Sequence, residues 1–266
     1  MKFSISNIAW AAEFDEEMYG FLKTHSFDGL EIAPTRIFPE TPYDNVDLVK
    51  GFASELRENY GLAISSMQSI WYGLSESIFG TDEERQKLID YTFKAIDFAN
   101  AAGCRNLVFG CPKNRVVPPN IEQEAAVGLA CEFFIKIGDY AASNGTVIAI
   151  EPNPPIYNTN FINTTMEAFD ICCRINNSGV KVNLDLGTII YNEESLNILR
   201  GNIHLVNHIH ISEPNLKPIE NRGLHGELFS IMREMKYDKF VSIEMGNPGD
   251  IDVVKRAILY VEEAAS

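Results

Sequence analysis

The sequence predicts a single (β/α)8 barrel, an α/β fold, that occupies residues 1–266. Eight short apolar runs rich in β-branched residues recur along the chain, and from the first to the last they span 236 residues in seven intervals. Segments with helical spacing of apolar residues separate them, and no linker rich in proline or serine interrupts the alternation. Alternating strands and helices are typical of a parallel sheet, and eight such units over roughly 250 residues are typical of a closed barrel.

The predicted elements alternate from one end of the chain to the other. Strands are expected to begin near Phe3, Phe27, Leu62, Asn106, Thr146, Val180, Leu205 and Lys239. Helices are expected over residues 16–24, 46–60, 82–102, 121–144, 165–175 and 228–235, with a short one near 193–199. Thr81 and Glu84 form the pattern of a capping box, whereas Gly61 and Gly145 are typical of helix ends. No glycine-rich phosphate loop follows the first strand, which disfavours a dinucleotide-binding fold.

The composition argues against nucleic-acid and membrane partners. There are 37 acidic and 22 basic residues, a net charge of −15, whereas nucleic-acid affinity depends largely on cations that neutralise phosphates. No apolar stretch approaches the ~20 residues of a membrane span, and the first ten residues lack the apolar part of a secretion signal. The five cysteines form neither a CxxC pair nor an even set, as expected for reduced thiols. We therefore expect a cytoplasmic protein.

Four side chains that can bind a metal lie near the ends of the last four predicted strands. They are Glu151, Asp185, His210 and Glu244, at intervals of 34, 25 and 34 residues. The carboxyl ends of barrel strands meet at one face, where active sites of this fold lie. Any one of these residues alone could cap a turn, but three carboxylates converging with an imidazole need a cation. The set suits one Mn²⁺, Mg²⁺ or Co²⁺ ion, with Zn²⁺ as a further option.

A polar layer is expected beneath these four residues. Because side chains alternate between the two faces of a strand, residues two positions earlier also face the barrel axis. They are Ala149, Asn183, His208 and Ser242. Three of these are polar, where a purely structural layer would favour Val, Ile or Leu. We expect Asn183, His208 and Ser242 to orient the ligands, with His208 neutral and hydrogen-bonded below the metal.

The motifs around these residues are IEPNP, LDLG, HIH and SIE. In their order and spacing the chain resembles the xylose isomerase-like superfamily of sugar isomerases and epimerases, particularly its D-tagatose 3-epimerase branch. The resemblance implies one divalent ion held by Glu151, Asp185, His210 and Glu244, with Glu151 and Glu244 as the catalytic acid/base pair. It also implies a small carbohydrate substrate and an assembly of two or four copies. A chelated ion would stabilise the enediolate, and two carboxylates on opposite faces could remove and return the proton.

Two positions depart from that branch. Thr188 stands where the branch carries a histidine, and Leu216 stands where it carries an arginine; both positions contact substrate there. Lys217 is adjacent to the second position, but a neighbouring lysine on a loop does not establish replacement. The departures favour a different polyol, sugar derivative or sugar acid over a free ketose.

The ends of other predicted strands supply candidate substrate contacts. They are Asn7, Trp10, Glu31, Gln68, Trp71, Lys113, Arg115 and Asn153. The faces of Trp10 and Trp71 could pack on sugar C–H groups, although core packing explains them equally well. Lys113 and Arg115 could hold a phosphate or carboxylate of the substrate, or lie on a solvated loop. His225 could belong to a lid or hold a second metal, but it is expected at the surface.

Other function classes stay open from the sequence. A metal-dependent dehydratase or lyase acting on an inositol-like ring or a keto acid would begin with the same proton abstraction and then expel a leaving group. A carbohydrate-binding barrel without catalysis is a further alternative. A zinc-dependent endonuclease of similar fold is disfavoured, because the chain has only five histidines and an acidic composition.

Overall fold

Eight parallel strands close into one barrel in the computed structural model, which describes residues 1–266. Each strand pairs with the next along the chain, and the first pairs with the last to complete the ring. The bounds are β1 Lys2–Ser6, β2 Gly29–Ile32, β3 Ala63–Met67, β4 Leu107–Phe109, β5 Ile148–Ile150, β6 Val180–Asp185, β7 Val206–Ser212 and β8 Phe240–Glu244. All eight predicted strands are present, and the predicted (β/α)8 fold is confirmed.

Helices connect the strands around the outside of the barrel. The bounds are α1 Asp15–Thr24, α2 Pro34–Ile37, α3 Val46–Glu55, α4 Asp82–Ala102, α5 Gln123–Ser143, α6 Thr165–Ile175, α7 Leu186–Asn192, α8 Leu199–Asn202, α9 Gly223–Glu234 and α10 Ile251–Ala265. A π-helical turn over Leu56–Tyr60 continues α3. The capping box of α4 is confirmed, because the Thr81 hydroxyl accepts from the Glu84 backbone and the Glu84 carboxylate accepts from the Thr81 backbone. None of the helices combines the length and apolarity needed to cross a membrane.

The connection after β6 differs from the sequence prediction. The short helix predicted near residues 193–199 corresponds to a 3-10 turn over Leu196–Ile198 that leads into α8, but a further helix, α7, begins directly after Asp185 and ends at Asn192. The cause is the carboxylate of Asp185, which accepts a hydrogen bond from the backbone nitrogen of Thr188 at 2.7 Å and so caps the helix. One residue therefore ends a strand and begins a helix, which fixes the direction of its side chain.

The barrel separates an apolar layer from a polar interior. Buried aliphatic side chains on the outer face of the sheet, such as Ile5, Ile209 and Ile243, belong to one continuous hydrophobic core. Small and polar buried side chains alternate with them along the strands: Ser4, Ser6, Glu31, Ser66, Asn183, His208 and Ser242. Branched apolar residues normally fill this space. The polar interior instead supplies hydrogen bonds to charged groups at the carboxyl end of the strands, where uncompensated burial would be costly.

Candidate metal centre and active-site cavity

The four predicted metal ligands converge at the carboxyl end of the barrel. Glu151 directly follows β5, Asp185 and Glu244 are the last residues of β6 and β8, and His210 lies within β7. One ligand atom from each lies within 4.8 Å of those of the others. Strand pairing fixes this arrangement, since Asp185 is in register with His210 and Ser212 is in register with Glu244.

The surroundings of the His210 ring fit a cation at the centre of this group. Its Nδ1 lies 2.9 Å from Glu151 Oε1 and 3.1 Å from Glu244 Oε2, which calls for a proton on Nδ1. It also lies 3.1 Å from the amide nitrogen of Asn183, which can only donate. No single protonation state satisfies all three neighbours. A metal ion between the carboxylates and an unprotonated Nδ1 removes this conflict, and the oxygen-rich donor set suits a hard divalent ion.

A buried carboxylate orients the histidine from below. Glu31 Oε2 lies 3.0 Å from Nε2 of His210 and 3.1 Å from Nε2 of His208. The sequence places Glu31 among the substrate contacts, but it is fully buried beneath the ligands and does not line the cavity. Burial raises its pKa, yet the charge of His210 and the hydrogen bonds from both histidines outweigh burial and lower the pKa below its usual range. With the Glu31 carboxylate holding the Nε2 proton, Nδ1 is left free to bind a metal.

The other residues of the predicted polar layer also contact ligands or their partners. The amide of Asn183 donates to Glu151 Oε1 at 2.7 Å. His208 is buried, and burial lowers its pKa although the hydrogen bond that it donates to Glu31 opposes this, which favours the neutral ring. The Ser242 hydroxyl lies 3.5 Å from Glu31 Oε1, at the limit of a hydrogen bond. Glu151 and His210 are thus held by Asn183 and Glu31 rather than by solvent.

Asp185 has a set of hydrogen-bond partners of its own. Its Oδ2 accepts from the backbone nitrogen and the hydroxyl of Thr188, both at 2.7 Å, and its Oδ1 accepts from the hydroxyl of Ser212. Thr188 is buried and also contacts the carbonyl oxygen of Pro152 at 2.8 Å. The residue that departs from the ketose epimerase pattern at this position therefore supports a ligand and does not face the cavity.

The carboxylates of the group differ in their proton affinity. Burial raises the pKa of Glu244 to about 7, although the charge and hydrogen bond of His210 oppose this. Burial also acts to raise the pKa of Glu151, but the hydrogen bond and charge of His210 outweigh it and lower the pKa. Burial and the charge of Glu151 raise the pKa of Asp185. Glu244 therefore holds a proton more readily than Glu151 does.

A cavity of about 160 Å³ opens directly above these ligands. Its lining includes Glu151, Asp185 and Glu244, the predicted contacts Gln68 and Asn153, and Tyr157. Leu216, the second position that departs from the ketose epimerase branch, also lines it. Residues that the sequence does not single out complete the wall: Ser69, Val108, Gly110, Cys111, Pro112, Ser212 and Glu213. Glu213 follows β7 within the HISEP motif, and its carboxylate is held by Arg222 at 2.7 Å. No lysine or arginine lines this cavity.

Besides Glu31, five predicted substrate contacts lie away from the cavity. Trp71 is buried between sheet and helices, where it donates to Thr92 and packs against two phenylalanines. Asn7 is fully buried and accepts from the backbone of Ala33. Lys113 is exposed on the loop after β4. Trp10 lines a neighbouring groove rather than the cavity. These positions follow strand ends in sequence, but the turn after each strand directs the side chain elsewhere.

Arg115, the fifth of these, is fully buried and cannot reach a substrate anion. Its guanidinium donates to Oδ1 of Asn153 at 2.8 Å, and Nδ2 of Asn153 in turn donates to Glu151 Oε2 at 3.0 Å. Burial lowers the pKa of Arg115 to about 10, so the side chain stays charged at neutral pH. Arg115 therefore fixes the orientation of the Asn153 amide and acts on the site through Glu151.

His225 is buried, contrary to the sequence expectation. It lies on α9, and its Nδ1 is 2.8 Å from the hydroxyl of Tyr260 on α10. The predicted helix starts at residue 228, whereas α9 begins at Gly223 and turns this side chain toward the neighbouring helix. His225 is thus a packing residue between two helices.

Comparison with known proteins places this fold in a family. A family model described as "Xylose isomerase-like TIM barrel" matches residues 20–264, which is most of the chain. The chain belongs to the xylose isomerase-like TIM barrel family. No protein in a comparison with curated sequences matches it.

Solved structures show the same architecture for this xylose isomerase-like chain. A 3-keto-D-glucoside 4-epimerase from E. coli shares 19% identity with a TM-score of 0.79, covering 99% of each chain. A family 2 AP endonuclease from Brucella melitensis shares 19% identity with a TM-score of 0.76, covering 97% of each chain. A D-psicose 3-epimerase from Clostridium cellulolyticum H10 shares 16% identity with a TM-score of 0.75, covering 100% of this chain and 96% of the other. At these identities the likeness establishes the fold.

Proposed function

We propose that the protein is a divalent-metal-dependent epimerase or isomerase of a small sugar or sugar derivative. Glu151, Asp185, His210 and Glu244 would hold the ion, and Mn²⁺, Mg²⁺, Co²⁺ and Zn²⁺ are the candidates. When bound, such an ion would neutralise the negative charge that develops on substrate oxygen as a proton leaves the adjacent carbon. Sugar epimerases among the structural neighbours support a carbohydrate substrate.

The arrangement of two glutamates carries this proposal. Glu151 and Glu244 come from β5 and β8, and each directs one oxygen to Nδ1 of His210. The second oxygen of Glu151 accepts from the amide of Asn153 at 3.0 Å. With its amide oriented to satisfy its neighbours, Gln68 donates to the second oxygen of Glu244 at 2.6 Å. Both carboxylates therefore line the cavity in fixed orientations, which proton transfer to and from a bound substrate requires.

The two glutamates have complementary roles in the proposed reaction. One carboxylate removes the proton from a carbon beside a carbonyl, and the other, which is protonated beforehand, returns a proton to the opposite face of the same carbon. The transfer inverts the configuration at that carbon and exchanges the protonation states of the two glutamates. Delivery to the neighbouring carbon gives an isomerase instead. The difference in proton affinity between Glu244 and Glu151 is in keeping with one acid and one base.

The same site argues against a nucleic-acid substrate. One structural neighbour is described as an AP endonuclease, but the cavity here is lined by four carboxylates and no cation. The net charge is −15, and phosphate binding relies on cations. Only one histidine, His210, contacts the carboxylates of Glu151 and Glu244.

Exchange of carbon-bound hydrogen in D₂O tests the proposal. The metal-loaded protein should introduce deuterium into one carbon of a sugar in a panel of ketoses, aldoses and their derivatives. Exchange should require the metal and should be lost in Glu151→Gln and Glu244→Gln. Glu55→Gln, at an exposed position on α3, serves as the matched control and should retain it. A product lighter by one water would identify a dehydratase, and binding without exchange would identify a carbohydrate-binding barrel.

A further inference from the structure

A second, larger concavity opens beside the active-site cavity. This groove has a volume of about 800 Å³, compared with about 160 Å³ for the cavity. Its walls come from segments that follow β1, β2 and β3, with Asn247 after β8. Ser69 lines both spaces, so they are adjacent. Small-molecule sites commonly measure roughly 300–1,000 Å³. The cavity above the carboxylates is therefore small for a complete ligand site, and the groove is not.

The groove has an aromatic and apolar wall. Trp10, Tyr72 and Tyr91 line it together with Ile8, Ala33, Pro39 and Pro42, and Tyr72 supplies the exposed aromatic face, because Trp10 is only 2% exposed. Tyr72 is 72% exposed, the highest fraction among the exposed large hydrophobic side chains. A turn holds it in place, because its backbone nitrogen donates to the carbonyl oxygen of Ser69 at 2.9 Å. Aromatic faces of this kind pack well against the C–H surface of a sugar ring.

The charges along both spaces disfavour an anionic ligand. The only cation in the groove wall is Arg36, and its guanidinium makes two hydrogen bonds to Asp15, at 2.7 and 3.2 Å. A third bond goes to the carbonyl oxygen of Trp10 at 3.2 Å. The cavity itself has four carboxylates and no cation. A phosphate or carboxylate on the ligand would thus find no unpaired lysine or arginine in either space, and the proposed ion in the cavity would be occupied by the oxygens of the reacting sugar.

We propose that the groove is a second carbohydrate subsite, which holds an uncharged sugar ring attached to the sugar that reacts in the cavity. The substrate is then a neutral disaccharide or glycoside and not a free monosaccharide, a sugar phosphate or a sugar acid. This inference rests on the proposed function, because the reacting unit is the sugar bound above Glu151 and Glu244. Contacts made by the second ring are remote from the reaction, and such binding energy can be used to position the reacting unit.

Binding and exchange measurements on a matched panel test the subsite. The probes are D-fructose and maltulose, D-glucose and cellobiose, and the 6-phosphates of fructose and glucose. Each disaccharide carries the corresponding hexose as its reducing unit. Calorimetry on the metal-loaded protein gives the affinity for each probe, and deuterium incorporation reports the reaction. Tyr72→Ala removes the exposed aromatic face, and Tyr191→Ala on α7, at a 44% exposed position outside the groove, is the matched control.

We expect at least one disaccharide to bind more tightly than its hexose, and the phosphates to bind more weakly. Tyr72→Ala should lower the ratio of disaccharide to hexose affinity by roughly three- to tenfold, and Tyr191→Ala should leave this ratio unchanged. Equal affinities within each pair, or a preference for a phosphate, would overturn the subsite. If free hexoses undergo exchange and the second ring adds no affinity, the subsite is refuted and the proposed epimerase activity stands. If disaccharides bind in a way that depends on Tyr72 but no deuterium exchange occurs, the subsite stands and the proposed epimerase activity is refuted.

Discussion

Nε2 of His210 lies 3.0 Å from Oε2 of Glu31, and both side chains are completely buried. A carboxylate at this position accepts a hydrogen bond from a protonated Nε2, so the lone pair of an unprotonated Nδ1 faces Glu151, Asp185 and Glu244. A residue from the second strand therefore sets the tautomer of a proposed ligand on the seventh.

Glu31→Gln is expected to weaken metal binding by about 10- to 100-fold. A glutamine amide can donate to Nε2, which stabilises the tautomer with the proton on Nδ1 and blocks the nitrogen that faces the carboxylates. Competition with a fluorescent chelator measures the affinity, and circular dichroism checks the fold. Glu55→Gln is the control at an exposed position. Unchanged metal affinity in Glu31→Gln would mean that this carboxylate does not orient the ligand.

Metal removal is expected to lower the melting temperature. Without a cation, the carboxylates of Glu151, Asp185 and Glu244 lie close together at a site where burial already disfavours their charges. A metal at 100 times its dissociation constant should stabilise the folded state by about 2.7 kcal/mol. Thermal melts after chelation and after addition of Mn²⁺, Mg²⁺, Co²⁺ or Zn²⁺ measure the effect and rank the ions. Glu151→Gln should reduce the shift, and an equal shift in that variant would place the ion elsewhere.

Gly110→Ala is expected to lower activity with little loss of stability. A Cβ at this position would lie 2.8 Å from Glu151 Oε2 and 3.5 Å from Asn153 Oδ1. The carboxylate can move aside, so the protein should fold, but Glu151 would leave its place in the cavity. Gly128→Ala on α5 is the control, since nothing lies within 4 Å of its added Cβ, and it should stabilise the helix by roughly 0.5–1 kcal/mol. Full activity in Gly110→Ala would show that the position of Glu151 is not critical.

Thr188→Val is expected to destabilise the protein by about 1–3 kcal/mol. The substitution keeps the shape but removes the hydroxyl that contacts Asp185 and the carbonyl of Pro152. Thr146→Val is the matched control, because the buried hydroxyl of Thr146 has no hydrogen-bond partner. Urea unfolding of the two variants measures the difference. Equal stability of both variants would show that the contacts of Thr188 contribute nothing.

His225 is expected to make the protein less stable in acid. Burial lowers its pKa below the usual 6.5, although the charge of Glu213 opposes this. Below pH 6.5 the unfolded chain therefore binds a proton that the folded chain resists, and stability falls as the pH falls. The free energy of unfolding of the wild type minus that of His225→Gln should decrease below pH 6.5 and stay constant above it. His204→Gln, at an exposed position, is the control, and a pH-independent difference for His225→Gln would contradict the prediction.

The strands and the ligand group follow from the sequence because they depend on local periodicity. Strand alternation places Asp185 and His210 on the axis, and it correctly leads to Asn183 and His208 beneath them. Strand alternation does not decide at what depth along the barrel axis a side chain lies. Glu31 is therefore found below the ligands rather than in the cavity.

Loop geometry is where the sequence prediction stops. Trp71 and Arg115 follow strand ends as Glu151 does, but the turns that carry them depend on contacts with distant segments, such as Thr92 for Trp71 and Asn153 for Arg115. Such contacts leave no periodic signal. The groove lined by Trp10 and Tyr72 is likewise formed by several connections at once, and no single motif predicts it.

All four proposed ligands come from the second half of the chain, whereas Glu31 and Gln68, which hold His210 and Glu244, come from the first. The two halves meet where β1 pairs with β8 and where β4 pairs with β5. A half-barrel that contains only the last four strands would carry every donor atom and lack the groups that orient them. If these residues hold the proposed ion, tight binding would require both halves to be assembled, and ion affinity would be a local reporter of whether the ring of strands is closed.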